Sequence, residues 1–117
     1  PWNELEHSRP GGQTESEYIG DSLRKMRKFA RENNIHLFIV AHPTKMRQND
    51  DGTPVVPTPY DISGSANWRN KADNCLCIYR NADSVDFHVQ KIRVEEVGQV
   101  GSARLEFISA TGGYRIK

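Results

Sequence analysis

The sequence predicts an α/β fold in which a helix and a parallel strand come first and antiparallel strands close the chain. Three observations predict it. "TESEYIGDSLRKMRKFARENN" carries apolar residues at helical spacing, "IHLFIVA" is an almost unbroken apolar run, and "VDFHVQKIR" and "ARLEFISA" alternate apolar and polar residues. A continuous apolar strand suits a parallel sheet covered on both faces, whereas alternation suits a sheet covered on one.

The elements follow in order. "PWNELEHSRPGG" has no period, carries two prolines and a glycine pair, and lacks an initiator Met. It reads as a loop already in progress, so a segment of a longer protein is expected. Thr14 with Glu17 three residues on is a helix-start signal, because each can satisfy an orphan donor of the other. The helix is predicted over 15–32, with Ile19, Leu23, Met26, Phe29 and Ala30 as an apolar stripe packed on a sheet. Arg24, Lys25, Arg27, Lys28 and Arg31 cover the rest of its surface. Asn33 and Asn34 suit a helix end, and the parallel strand follows.

From 43 to 63 the text is loop: Pro43, Pro54, Pro57 and Pro59 flank "NDDG". A loop of roughly twenty residues is uncommon in a compact domain unless it is functional or mobile. In "DISGSANWRNKAD", Ser63 or Ser65 is expected to cap a short helix through Ala72, with Gly64 allowing close backbone approach. "NCLCIYR" is predicted as a buried strand. "NADS" then turns into "VDFHVQKIR", Gly98 and Gly101 mark the next turn, and "TGG" leads to a terminal "YRIK".

The bulk numbers set limits. The chain has 117 residues, 36% hydrophobic and 26% charged, enough for one small core, and a single partial domain is expected over 1–117. Sixteen Lys and Arg against fifteen Asp and Glu leave a net charge of +1, so nucleic-acid binding would have to come from local patches. No apolar run approaches the ~20 residues that cross a bilayer, and no secretory leader opens the chain, so a cytoplasmic location is expected. Cys75 and Cys77 lie two apart on a strand and read as small core residues rather than a redox or zinc pair.

In open α/β sheets ligands bind beyond the carboxyl ends of the parallel strands. His42 stands at that end, where an imidazole could donate to a phosphate or a polarised water. Lys45 and Arg47 project from the loop beyond it, and cations on a loop suit a polynucleotide backbone. Lys91 and Arg93, two apart at a strand end, share a face and suit developing negative charge on a phosphoryl group. His7 is assigned to the loop, and His36 and His88 to solvent or core. No GxxxxGK[ST] stretch, Ser-His-Asp arrangement or metal-ligand spacing is present.

In this order, "PWNELE", the helix, "FIVAHPTK", "DISGSANWRNKADN", "QKIR" and "VGQVG" resemble the C-terminal half of the RecA-like motor of DnaB-type replicative helicases. The nearest branch looks like the phage primase-helicases, Twinkle and Toprim-bearing versions. The resemblance implies a RecA-like P-loop ATPase core lacking its Walker A segment. It also implies a magnesium-holding aspartate immediately before Pro1. His42 matches the family's phosphate sensor, and Lys45 and Arg47 its DNA-binding loop, expected to be mobile over 43–63. Asn70 stands where a polar residue, often Gln, faces the channel. Lys91 and Arg93 match the pair that reaches a neighbouring subunit's nucleotide, Arg93 as the finger. Arg80 and Phe107 look like the pair that sandwiches the base.

The resemblance further implies ATP and Mg2+ in the full-length parent and none bound to this fragment, which alone should be inactive. Single-stranded DNA and a hexameric ring of further copies are the implied partners, in a bacterial or phage-infected cell. Two other readings stay open: a non-enzymatic single-stranded nucleic-acid-binding module built on the basic helix and loop, and another RecA-like ATPase of recombinase type.

Overall fold

A computed structural model describes residues 1–44, 46–63 and 66–117. Its chain forms two compact units, Pro1–Ala72 and Asp73–Lys117.

In the first unit, helix α1 spans Glu15–Glu32 as the sequence predicts. The Glu17 amide donates to Thr14 Oγ1 at 3.2 Å and the Thr14 amide to Glu17 Oε2 at 2.8 Å, a complete capping box. These bonds hold the Glu17 carboxyl below the usual range. At the other end Asn34 takes φ 52, the Ile35 amide donates to Ala30 O and the Asn34 amide to Arg31 O. This is a Schellman closure, for which Asn is suited because its short polar side chain tolerates the left-handed region.

Ile19 and Leu23 are buried with Trp68 of the short helix α2, Asn67–Lys71, and Trp2, Tyr18, Ala41 and Ile62 pack around them. The stripe thus packs within this unit on α2, and its C-terminal end is bare, with Phe29 56% exposed. Gly20 lets α2 come close: a Cβ there would lie 2.8 Å from Asn67 Nδ2, which donates to Ser16 O at 3.1 Å. Ala66, not Ser63, stands at the cap of α2; Ser63 instead bonds Glu15 Oε1 and accepts Trp68 Nε1–H at 3.1 Å. Gly64 and Ser65 lie outside the described residues.

The expected parallel strand at 35–41 is corrected. Among the described residues it has no ladder partner, and Ile35, Leu37, Phe38, Ile39 and Val40 are all exposed. An apolar run becomes sheet only when another backbone presents matching donors and acceptors. Here the Trp2 amide donates to Val40 O at 2.7 Å, one bond rather than a ladder.

The second unit is a four-stranded antiparallel meander, β1 (Asn74–Arg80), β2 (Val85–Ile92), β3 (Gly101–Ile108) and β4 (Gly113–Ile116), in chain order. β1 pairs antiparallel with β2 and is covered on one side only: Cys75 is buried, whereas Ile78 is 73% exposed. The fully buried strand expected there is therefore half covered. Among the described residues neither Cys75 nor Cys77 is in a disulfide, and burial raises the Cys77 thiol above its ordinary pKa. Where the register passes from Leu76↔Val89 to Cys75↔Lys91, β2 carries one residue more than β1, Gln90. This is a bulge on β2.

Cross-strand pairs lock the sheet. Asp86 and Arg104 face each other in register, with Arg104 Nε and Nη2 donating to the two carboxylate oxygens at 2.7 and 3.0 Å. Asn81 Nδ2 donates to the same carboxylate at 2.9 Å. The guanidinium first, and the amide second, pull the Asp86 pKa down to about 2. Glu106 and Arg115 repeat the arrangement between β3 and β4 at 2.9 Å.

Candidate functional site

The residues named from the sequence fall on both units. On the first, His42 is exposed at the end of the 35–41 segment and has no hydrogen-bond partner among the described residues. Immediately after it Pro43 bridges Ile62, while Thr44 donates to Asp61 O from its amide at 2.8 Å and its hydroxyl at 2.9 Å. His42 therefore stands at the closed base of the 43–62 loop.

Inside that loop the chain turns back on itself. The Val55 amide donates to Arg47 O, the Asn49 amide to Thr53 O, and Gln48 bridges Pro54, with Gly52 at φ 81 in the turn. Only glycine takes that φ without strain, which is why "NDDG" is the tip. Asp51 Oδ1 accepts the Thr53 hydroxyl at 2.6 Å and its amide at 2.9 Å, and both keep the carboxyl below its usual range. The long loop of the sequence is thus a short hairpin arm.

Its charge is divided. Asp50 and Asp51 lie exposed at the tip, and Arg47 lies exposed at the base. Thr58 donates to Asp61 from its amide at 2.7 Å and its hydroxyl at 3.0 Å, lowering that carboxyl's pKa, and the charge of Arg47 adds to the effect. A phosphate would meet cation at the base and anion at the tip. Lys45 lies outside the described residues. Asn70 is exposed on α2, and beside it the Arg69 guanidinium lies 5.8 Å from the centre of the Tyr60 ring.

On the second unit, the bulge decides where Lys91 points. Phe87 and Val89 lie opposite Ile78 and Leu76, but the extra residue Gln90 puts Lys91 opposite Cys75, on the other face. Arg93 lies just past the end of β2. Its amide donates to Asp73 O at 2.9 Å and its Nε lies 2.7 Å from Asp73 Oδ1. Both side chains are more than a third exposed, and such surface pairs are worth about 0–1 kcal/mol, so the guanidinium is held but not committed. Sequence reasoning missed Asp73, which carries no local signal of its pairing.

Arg80 lies in one cross-strand row with Val85, Leu105 and Ile116, and Phe107 stands two residues along β3 from Leu105. Arg80 and Phe107 therefore share a face two strands apart, roughly 10 Å across the sheet. The Phe107 ring packs on its register partner Tyr114 with centroids 5.2 Å apart, and both are about half exposed. Arg80 is likewise exposed on that face. Among the described residues no three of His, Cys, Asp and Glu converge as a metal-ligand set, so these residues do not fit a magnesium site by themselves.

His7, assigned from sequence to the loop, proves to be fixed: its Nε2 lies 2.8 Å from Trp2 O, its Nδ1 2.9 Å from Tyr18 Oη, and its ring 4.4 Å from that of Trp2.

No protein-family model matches the sequence. Over 97% of its length the chain is 40% identical to the Twinkle homolog protein, chloroplastic/mitochondrial, of Arabidopsis thaliana. The chain matches one segment of that Twinkle homolog. It spans 17% of the relative's length. The likeness supports a relationship with the DnaB-like helicases, and the α/β architecture is consistent with it. The Twinkle homolog is chloroplastic or mitochondrial and lends no support to a bacterial or phage cytoplasm. Among the described residues, no helix is long and apolar enough to cross a membrane.

Proposed function

We propose that this chain is part of the motor of a hexameric, ATP-dependent replicative DNA helicase. In it the chain contributes a phosphate sensor, a DNA-binding loop and a trans-acting arginine finger. The observation that carries the reading is the 40% identity to the Twinkle homolog over almost the whole chain. The local geometry agrees: His42 adjoins the bridge that closes the Arg47 hairpin, so a change at the imidazole has a short backbone route to the loop. Arg47, with Lys45 and Asn70, would hold single-stranded DNA, and Lys91 and Arg93 would reach the site of a neighbouring subunit. Arg80 and Phe107 would hold the base of ATP. The nucleotide, with its magnesium, supplies the phosphoryl group whose hydrolysis drives the motor, and its phosphate-binding residues would come from the rest of the longer protein.

Arg93 is the decisive test. In the longer protein, Arg93→Ala should lower DNA-stimulated ATP hydrolysis by ~10³-fold while nucleotide still binds, because a finger acts on charge that develops only in the transition state. Retained hydrolysis in that variant would refute the assignment. For the loop, Arg47→Ala should reduce the salt slope of single-stranded DNA binding by about 0.7 in log–log terms, the share of one phosphate. The module reading draws on the basic face of α1, but Arg24 and Lys25 both pair with Asp21, at 2.7 and 3.2 Å, and Lys28 pairs with Glu32 at 3.5 Å. Its cations are thus partly neutralised within the helix. A recombinase-type motor would hydrolyse ATP but leave a forked duplex unopened.

A further inference from the structure

Trp2 touches three segments that frame the Arg47 hairpin. Its amide donates to Val40 O at 2.7 Å, two residues before His42. Its ring meets Trp68 of α2 edge to face with centroids 5.2 Å apart, and α2 is where the chain goes after the loop. Towards α1 its ring lies 6.3 Å from Tyr18. The indole is rigid and large, and edge-to-face pairs hold a definite geometry. The entry and exit of the loop are therefore spaced against one residue.

His7 clamps that residue. Each ring nitrogen has one partner, Trp2 O and Tyr18 Oη, and the tautomer assigned from those partners has Nε2–H donating to the carbonyl and Nδ1 accepting from the hydroxyl. The imidazole is exposed, so its two bonds and its ring contact are not forced by burial. A single loop side chain with three specified contacts holds the Trp2 backbone at the point where the 35–41 segment is tied down.

From this we infer that Trp2 is a positioning residue and His7 its clamp: together they fix the spacing of His42 and α2, and so couple DNA on the hairpin to hydrolysis. The inference rests on the helicase-motor reading. Neither residue need touch nucleotide or DNA. A shift of the indole moves both anchors of the loop at once, because one is bonded to its amide and the other packed on its ring.

The test uses the longer protein, with melting, basal ATPase and ATPase saturated with single-stranded DNA measured for each variant. Trp2→Ala and His7→Ala should keep basal hydrolysis within about twofold and lose roughly five- to thirtyfold of the DNA stimulation, the range expected for coupling residues that contact neither ligand. Trp2→Phe, which keeps an aromatic ring and the amide, should restore most of it. The Trp2→Ala, His7→Ala double variant should be no worse than Trp2→Ala, since the two act as one unit. Should Trp2→Ala fail to fold, Tyr18→Phe removes only the hydroxyl bonded to His7 and should still lower stimulation severalfold. Unchanged stimulation, or basal and stimulated rates falling together, overturns the inference while leaving the motor reading in place. Wild-type hydrolysis indifferent to DNA, with Arg93→Ala also silent, overturns the motor reading and this inference with it.

Discussion

The two units are built on opposite plans. Pro1–Ala72 is held by one cluster of large side chains, Ile19, Leu23 and Trp68 with Trp2 and Tyr18, contributed by segments far apart in the sequence. Asp73–Lys117 is held by neighbours in sequence: each strand pairs with the next, and the charged pairs Asp86 with Arg104 and Glu106 with Arg115 sit opposite one another in register. The first plan concentrates its stabilisation in a few residues and spaces a loop against them. The second spreads its stabilisation along backbone ladders, leaving side chains such as Phe107 and Arg80 exposed at its face.

Substitutions should separate the plans. The largest effect is expected from Trp68→Ala, because a buried indole at the centre of the cluster leaves both lost contacts and a cavity. The loss should be about 3–5 kcal/mol by denaturant unfolding, and a loss below about 1 kcal/mol would mean the cluster is not what holds the first unit. Gly20→Ala should cost less, about 1–3 kcal/mol, since its Cβ would displace Asn67 and break the bond to Ser16. A helix-propensity gain there instead would show that α2 can shift without penalty.

The smallest effect, and the one confined to the second unit, concerns pH. The Asp86 carboxyl is held at about 2, below its ordinary 3.8. A depressed carboxylate adds stability that is fully present above the ordinary value and is lost as pH falls through the folded one. Asp86→Asn should therefore flatten the stability profile between about pH 4 and pH 2, read by thermal melting, and leave its shape near neutrality unchanged. An identical acid limb in the variant would assign the titration to other carboxylates.

The same contrast sets what the sequence could convey. Alternation in "VDFHVQKIR" and "ARLEFISA" reports local pairing, and the strands lie where it says; the Thr14–Glu17 signal likewise places the start of α1. The 35–41 run is as apolar as any strand, but composition carries no information on whether a partner backbone is present, and among the described residues none pairs with it. Ser63 was expected as a cap from its type alone, while its hydroxyl is drawn to Glu15, 48 residues away. His7 gave no signal because what fixes it, Trp2 O and Tyr18 Oη, depends on the path of the chain between them. The hairpin tip was marked by Gly52, but its closure by Asn49 and Thr53 was not.

Gln90 works as a phase shifter. Up to Val89 the sheet keeps one even–odd count, and from Lys91 onward it keeps the other. The face of Lys91 is therefore set by the bulge: were Gln90 paired in regular register, Lys91 would fall on the side of Phe87 and Val89. Chain-length changes in β2 upstream of Gln90 would disturb the apolar face, whereas removing that one residue would straighten the strand and leave Lys91 opposite Cys75, because it would then follow Val89 directly.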